Sequence, residues 1–301
     1  MLEQVRKEGL LSPGRPVVVL YSGGRDSTCL LDLAARVTGA AAVRALHVNY
    51  GLRDEADADE RHCRLACEQL AVELTVERPR RPATGNLQAW AREARYTAAA
   101  TLAAGQADVA TGHTATDQVE TILYRLASSP SRRALLGMST REGAVIRPLL
   151  SFTRAETAAY CRHRQLAWRE DATNDSDVYA RGRIRTALVP ALEAAHPAAA
   201  QNVLALANIL RDEAAVLDEL VGEAVGGRDE IELARLRELP PALRRLVVQR
   251  LADAAAGGLA PGAARRADEI AALNNGNALD IGSGLRAVVA QRIVRFERLD
   301  Q

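Results

Sequence analysis

Six residues, Ser22-Gly23-Gly24-Arg25-Asp26-Ser27, stand between the apolar run Pro16-Val17-Val18-Val19-Leu20-Tyr21 and the start of an apolar helical pattern. Two glycines let the backbone curl so that its N–H groups converge, and two serine hydroxyls with the positive end of the following helix complete an anion site. A Walker-type loop, G-x-x-x-x-G-K-[ST], needs a lysine that is missing here. The turn is therefore a phosphate cradle of another kind.

A second group of reactive types follows in the stretch ATGHTATDQVET. His113, Asp117 and Glu120 are spaced by four and three, so a helix from Ala115 onward puts them along one face at its N-terminal end. Two carboxylates there can offset the positive end of the helix dipole. They can also form an acidic pocket for a cationic amine or a Mg2+ ion, with the imidazole near the phosphates, and these uses do not exclude one another. His47-Val48-Asn49-Tyr50-Gly51-Leu52-Arg53 closes another apolar run; Gly51 permits a sharp turn, Arg53 can reach phosphate, and His47 reads either as half-buried support or as part of the site. Asn86, Arg92, Arg95 and Tyr96 fall in one helical segment that serves the site or only the sheet's surface.

The elements that must position these residues alternate. Strands read at 16–21, 42–49, 72–76 and 107–112, and helices at 26–37, 55–70, 86–104 and 115–126. Such alternation implies an α/β fold with a Rossmann-like parallel sheet and helices on both faces. Ligands of these folds bind beyond the carboxyl ends of the strands, where all three motifs fall, so the motifs should converge. The turn-rich stretch LASSPSRRALLGM reads as a loop, Thr153 caps a helix with Glu156 three residues on, and a further helix lies near 178–189. A long helical pattern from His196 ends at Gly226-Gly227, and the remainder holds two helical patterns and three short strand-like runs. The expected organisation is a nucleotide-binding domain over 1–192, a helical connector over 193–227 and a small α+β domain over 228–301.

Composition narrows the class. With 48% hydrophobic and 26% charged residues in 301, and no apolar run of about 18 residues, the chain reads as a cytoplasmic globular protein that does not cross a membrane. Cys29, Cys63, Cys67 and Cys161 match no metal-ligand spacing and read as buried thiols. Net charge is only +1, yet between Ile122 and Arg185 twelve arginines face six acids, while Lys7 is the only lysine. Arginine's planar fork suits phosphate and base contacts, which points to nucleic acid as a partner, although a solvated basic face is the plainer reading.

S-G-G-x-D-S is similar to the signature of enzymes that split ATP between its α- and β-phosphates. Together with HVNYGLR, NLQAWAREARY, TGHTATDQVET, RPLL followed by TRAE, EDATN and RGRIRTALVPAL, it resembles the tRNA(Ile)-lysidine synthetase family over residues 16–192. The likeness is looser in the tail, where ALDIGSGLRAVV is similar to that family's small C-terminal domain. The resemblance implies an adenine nucleotide α-hydrolase fold and ligation of free L-lysine to the wobble cytidine of tRNA(Ile) with anticodon CAU. It implies ATP at Ser22, Gly23, Gly24, Arg25, Asp26, Ser27, His47 and Asn49, with Mg2+ at Asp26. Lysine then falls to Asp117 and Glu120, proton transfer to His113 or a carboxylate, and tRNA to Arg53, Arg132, Arg133, Arg181 and Arg185. A homodimer is compatible with all of this. Departures from the family pattern are Thr116 at the first of two usual aspartates, Tyr50 for a usual histidine, Gly182 within the RGRIR run, and 127–131, where ASSPS replaces a usual Arg-Gly-Ser-Gly loop. Rival readings are a tRNA thiolase on the same loop, for which Cys63 and Cys67 supply no suitable pair, and a tRNA-binding homologue without catalysis.

Overall fold

Val17–Leu20 form β1, buried along its whole length because successive side chains enter different cores. Val17, Val19 and Tyr21 pack with Leu30, Leu31 and Leu33, whereas Val18 and Leu20 pack with Leu46, Ala99 and Ala103. The structure is a computed structural model that describes residues 1–52, 54–129, 131–170, 180–282 and 284–299. Arg53, expected to meet RNA, and most of the EDATN motif lie outside the described residues.

After α1 (Leu2–Glu8) and β1 the chain runs through α2 (Arg25–Thr38), β2 (Val43–Val48), α3 (Ala56–Gln69), β3 (Glu73–Glu77), α4 (Leu87–Ala103), β4 (Asp108–Ala110) and α5 (Ala115–Ser128). Each expected strand and helix of this half is present. The sheet has the order β3-β2-β1-β4-β6-β5, parallel except at its last strand. Its outer strands β5 (Arg141–Glu142) and β6 (Val145–Ile146) are two residues each, too short to leave a periodic signature, and sequence reading passed over them. The expected loop before them contains a one-turn helix, α6 (Arg132–Leu135), which Ser131 caps by accepting from the Arg133 N–H.

β1 lies between β2 and β4, so chain order reverses there, and in sheets of this kind the ligand crevice lies at the carboxyl ends of the strands flanking the reversal, here β1 and β4. Closing one side is α7 (Arg154–His163), whose predicted capping box is formed: Thr153 and Glu156 each bond the other's backbone N–H. Beyond it come α8 (Ala180–Arg183), a π-helical turn at Ile184–Leu188, α9 (Val189–Ala195) and α10 (Ala199–Val225). The chain divides into two compact units, Met1–Asn208 and Ile209–Gln301, at a boundary inside α10.

The second unit holds β7 (Glu230–Glu232), α11 (Leu233–Glu238), α12 (Pro241–Ala256), α13 (Ala267–Ala272), β8 (Ala278–Gly282), β9 (Leu285–Ala290) and β10 (Ile293–Arg298). Its antiparallel sheet, order β7-β10-β9-β8, buries Leu285, Val289 and Val294 against Leu236, Val247, Leu251 and Ile270. Among the described residues no helix is long and apolar enough to cross a membrane.

Candidate active site

The phosphate turn is held by its own side chains. Ser27 Oγ donates to the Gly24 carbonyl at 2.9 Å, lies 3.0 Å from Ser22 Oγ and accepts from the Ser22 N–H. Gly24 is the N-cap of α2, and Asp26 sits in the first turn of that helix. Gly23 has φ of +81°, and a Cβ there would also fall 3.0 Å from Cys63 Sγ, so both conformation and space demand glycine. Arg169 bonds the Gly23 carbonyl through its backbone N–H and ion-pairs with Asp59, tying the turn to α3.

The second motif rests directly on the first. A Cβ on Gly112 would lie 3.2 Å from the Asp26 carbonyl carbon and the Ser27 nitrogen, so the loop after β4 packs backbone on backbone against the phosphate turn. Thr114 caps α5, and Asp117 turns one oxygen back to accept from the Thr114 N–H at 2.9 Å and its hydroxyl at 2.6 Å. The helix-capping use of Asp117 is therefore real: Oδ2 is spent on the cap, and Oδ1 is the oxygen that meets Arg154. Gln118 accepts from Met138 N–H and donates to Met138 O, clamping the chain after α6 onto α5.

Three carboxylates meet at one guanidinium. Arg154, at the start of α7, donates from Nη2 to Asp117 Oδ1 at 2.8 Å and from Nη1 to Glu120 Oε1 at 3.3 Å, with Nε 3.7 Å from Asp26 Oδ2. Thr157, one turn on, donates to Asp26 Oδ1, and Arg25 Nε approaches the same oxygen at 3.1 Å. Burial pushes the Asp117 carboxyl up, but Arg154, the two Thr114 bonds and His113 outweigh it and hold the acid below its ordinary range. His113 stands before the helix, its Nδ1 2.7 Å from Thr111 Oγ1. Desolvation pushes its pKa down to about 4 against the pull of Asp117, with Arg147, Arg181 and Arg95 adding to the depression. The imidazole is neutral near pH 7.

The remaining predicted residues have their own placements. His47 is buried and donates from Nδ1 to Tyr21 O at 3.0 Å; burial lowers its pKa, so it supports the end of β1 as a neutral ring. Asn49 directs both amide hydrogens to Asp57 and Glu60 and its oxygen to the Gly51 N–H, which leaves its side chain shaping the turn after β2. Arg185, expected on the RNA surface, instead binds Glu120 bidentately at 2.7 and 3.0 Å, because a carboxylate only 1% exposed needs a fork of donors. Arg181 donates to Thr121. Arg133 is exposed and Arg132 half-buried on α6. Sequence reading missed Arg154 and Thr157 as site residues. The Thr153–Glu156 cap was the available signal, since it fixes the helix start and places 154 and 157 on one face.

The PP-loop domain family matches residues 2–192. The tRNA(Ile)-lysidine synthase of Pseudomonas fluorescens (strain Pf0-1) is 40% identical over 67% of this chain and 47% of its own length. The enzyme of that name from Dehalococcoides mccartyi (strain CBDB1) is 34% identical over 88% and 62%, and that from Symbiobacterium thermophilum is 37% identical over 98% and 68%. The chain thus spans about half to two thirds of the length of these curated relatives. Among solved structures, the U34-tRNA thiolase NcsA from Methanococcus maripaludis superposes with a TM-score of 0.57 over 70% of this chain and 77% of that one, at 18% identity, a likeness of fold alone. With its phosphate turn, its crevice at the β1–β4 reversal and relatives of this closeness, the chain belongs to the tRNA(Ile)-lysidine synthase family and carries that family's PP-loop domain.

Proposed function

We propose that this chain joins free L-lysine to carbon 2 of the wobble cytidine of tRNA(Ile) bearing a CAU anticodon, driven by cleavage of ATP. The observation that carries this reading is the meeting of Asp26, Asp117 and Glu120 around a single cation beside the phosphate turn. One carboxylate belongs to the turn and two lie deeper, so a nucleotide and an amine are brought side by side.

ATP lies with its triphosphate on the amides of the Ser22–Ser27 turn and the first turn of α2. Asp26 suits Mg2+: among the described residues its Oδ2 has long contacts, 3.4 Å to Arg25 and 3.7 Å to Arg154, and Mg2+ is commonly held by one carboxylate plus substrate phosphates. The ion, when bound, neutralises triphosphate charge. The wobble base comes from a single-stranded loop and can be turned into the crevice at modest unstacking cost. Its O2 attacks the α-phosphorus, the bond to the bridging oxygen breaks and pyrophosphate leaves. The lysine ε-nitrogen then attacks carbon 2, the C2–O bond breaks and AMP departs. An ammonium of pKa about 10.4 must first lose a proton; His113 or one of the two carboxylates relays it, and an imidazole whose pKa is pushed down to about 4 serves only as a transient carrier toward solvent.

Incubation of protein, ATP, Mg2+, labelled lysine and CAU-anticodon tRNA, followed by digestion to nucleosides, tests the reading. Label in a modified cytidine is the expected result. The changed loop at 127–131 permits one rival, a tRNA binder without chemistry. tRNA that is bound with no pyrophosphate release and no labelled nucleoside would establish that rival instead.

A further inference from the structure

We propose that Arg154 is an internal occupant of the amine seat, and that lysine binds by exchanging with its guanidinium, which turns toward Asp26 and so carries a positive charge to the phosphate turn. The proposal rests on the reading above that Asp117 and Glu120 receive the lysine ammonium.

The argument starts from the oxygens. Asp117 Oδ2 is committed to the helix cap, and Glu120 is gripped by Arg185 through both oxygens, so the crevice-facing acceptors are Asp117 Oδ1 and Glu120 Oε1. Those are the two atoms to which the terminal nitrogens of Arg154 donate. An ammonium with three donors needs the same pair of acceptors, and with Arg185 already on Glu120, an ammonium added beside Arg154 would set three positive charges against two carboxylates. Binding the amine therefore requires the guanidinium to leave.

Arg154 has somewhere to go. Its backbone stays anchored, since its N–H donates to Thr116 Oγ1 at 3.2 Å, and its side chain is 23% exposed. The contact of its Nε with Asp26 Oδ2 is long, at 3.7 Å, so that carboxylate oxygen can accept a shifted guanidinium. After exchange, Asp117 and Glu120 face Arg185 and the ammonium, two charges against two. Asp26 then faces Arg25 and Arg154, one charge against two, which leaves a positive excess at the turn where an anion binds. By linkage, an anion on the turn must tighten lysine binding by the same factor as lysine tightens the anion.

Calorimetric titration of the full chain with L-lysine, with and without metal-free inorganic pyrophosphate, tests this. In the wild type, pyrophosphate should lower the lysine Kd several-fold, a measurement that needs no substitution. Arg154→Gln should bind lysine about tenfold more tightly without pyrophosphate and lose the enhancement when it is added. A purely structural Arg154 would give weaker lysine binding in that variant, and that result, or an enhancement that survives in it, overturns the exchange. Absence of any enhancement in the wild type does the same. Asp117→Asn separates the two levels: if it weakens lysine binding while Arg154→Gln fails to strengthen it, the seat stands and the exchange falls. If Asp117→Asn leaves lysine affinity unchanged, the seat itself is wrong.

Discussion

Glu120 is an anion almost without solvent, and its neighbours explain how it survives. Two guanidiniums supply donors to both oxygens, so the carboxylate exchanges water for a fixed set of charge-assisted bonds. Breaking such a buried pair is costly because the surviving charges lose their partner. Glu120→Ala should lower unfolding free energy by roughly 3 kcal/mol, read from urea denaturation at pH 7, whereas loss of an exposed acid would leave the midpoint nearly unmoved. His113 makes a prediction with a sign. Its pKa is pushed down from 6.5 to about 4 in the folded chain, so as pH falls below 6.5 the unfolded chain takes up a proton that the native one refuses. Stability contributed by this residue is complete above pH 6.5 and drains away toward pH 4. Between pH 7 and pH 5 the loss should be on the order of 2 kcal/mol, and His113→Asn should remove that increment from the pH profile while the rest of the acid dependence remains.

The elements deliver these residues with little slack. α2 follows β1 through the phosphate turn and α5 follows the loop after β4, and Gly112 in that loop lets it touch the start of α2 through the main chain. Gly112→Ala adds a methyl group 3.2 Å from main-chain atoms of Asp26 and Ser27, so the phosphate turn must shift by a few tenths of an ångström to admit it. We expect a folded protein whose tRNA-dependent pyrophosphate release falls at least tenfold; wild-type release would show that the close approach is not needed to shape the turn. Much of this frame was legible in the sequence, because β1 and β2 carry long apolar runs and α2 and α5 announce themselves by glycine and threonine at their starts. What was not legible came from tertiary pairing. β5 and β6 are too brief for any period, α6 is one turn inside a run of turn formers, and the partners of Arg154 and Arg185 lie more than thirty positions away along the chain. An arginine count saw a basic belt where the fold commits two of those arginines to buried acids.

At the scale of the molecule, the surplus of arginine over residues 122–185 is thus smaller than its sequence suggests once Arg154 and Arg185 are withdrawn. Arg147 pairs with Glu142, and Arg164 with Asp32. Arg132 and Arg133, half-buried and exposed on α6, are the pair that the resemblance assigns to RNA phosphate. Replacing both by alanine should weaken tRNA binding and reduce the slope of log K against log salt by roughly 0.7 for each phosphate no longer neutralised, measured by filter binding between low and physiological salt; an unchanged slope would move the RNA interface to another face. The main-chain seam between Gly112 and the phosphate turn has a last consequence. With no side chains interposed, nothing there can act as a spring or a hinge, so the nucleotide cradle and the head of α5 must travel as one stiff jaw. The start of α7 is tied to that same jaw, through Arg154 N–H on Thr116 and Thr157 on Asp26, so rearrangement at the site is left to side chains.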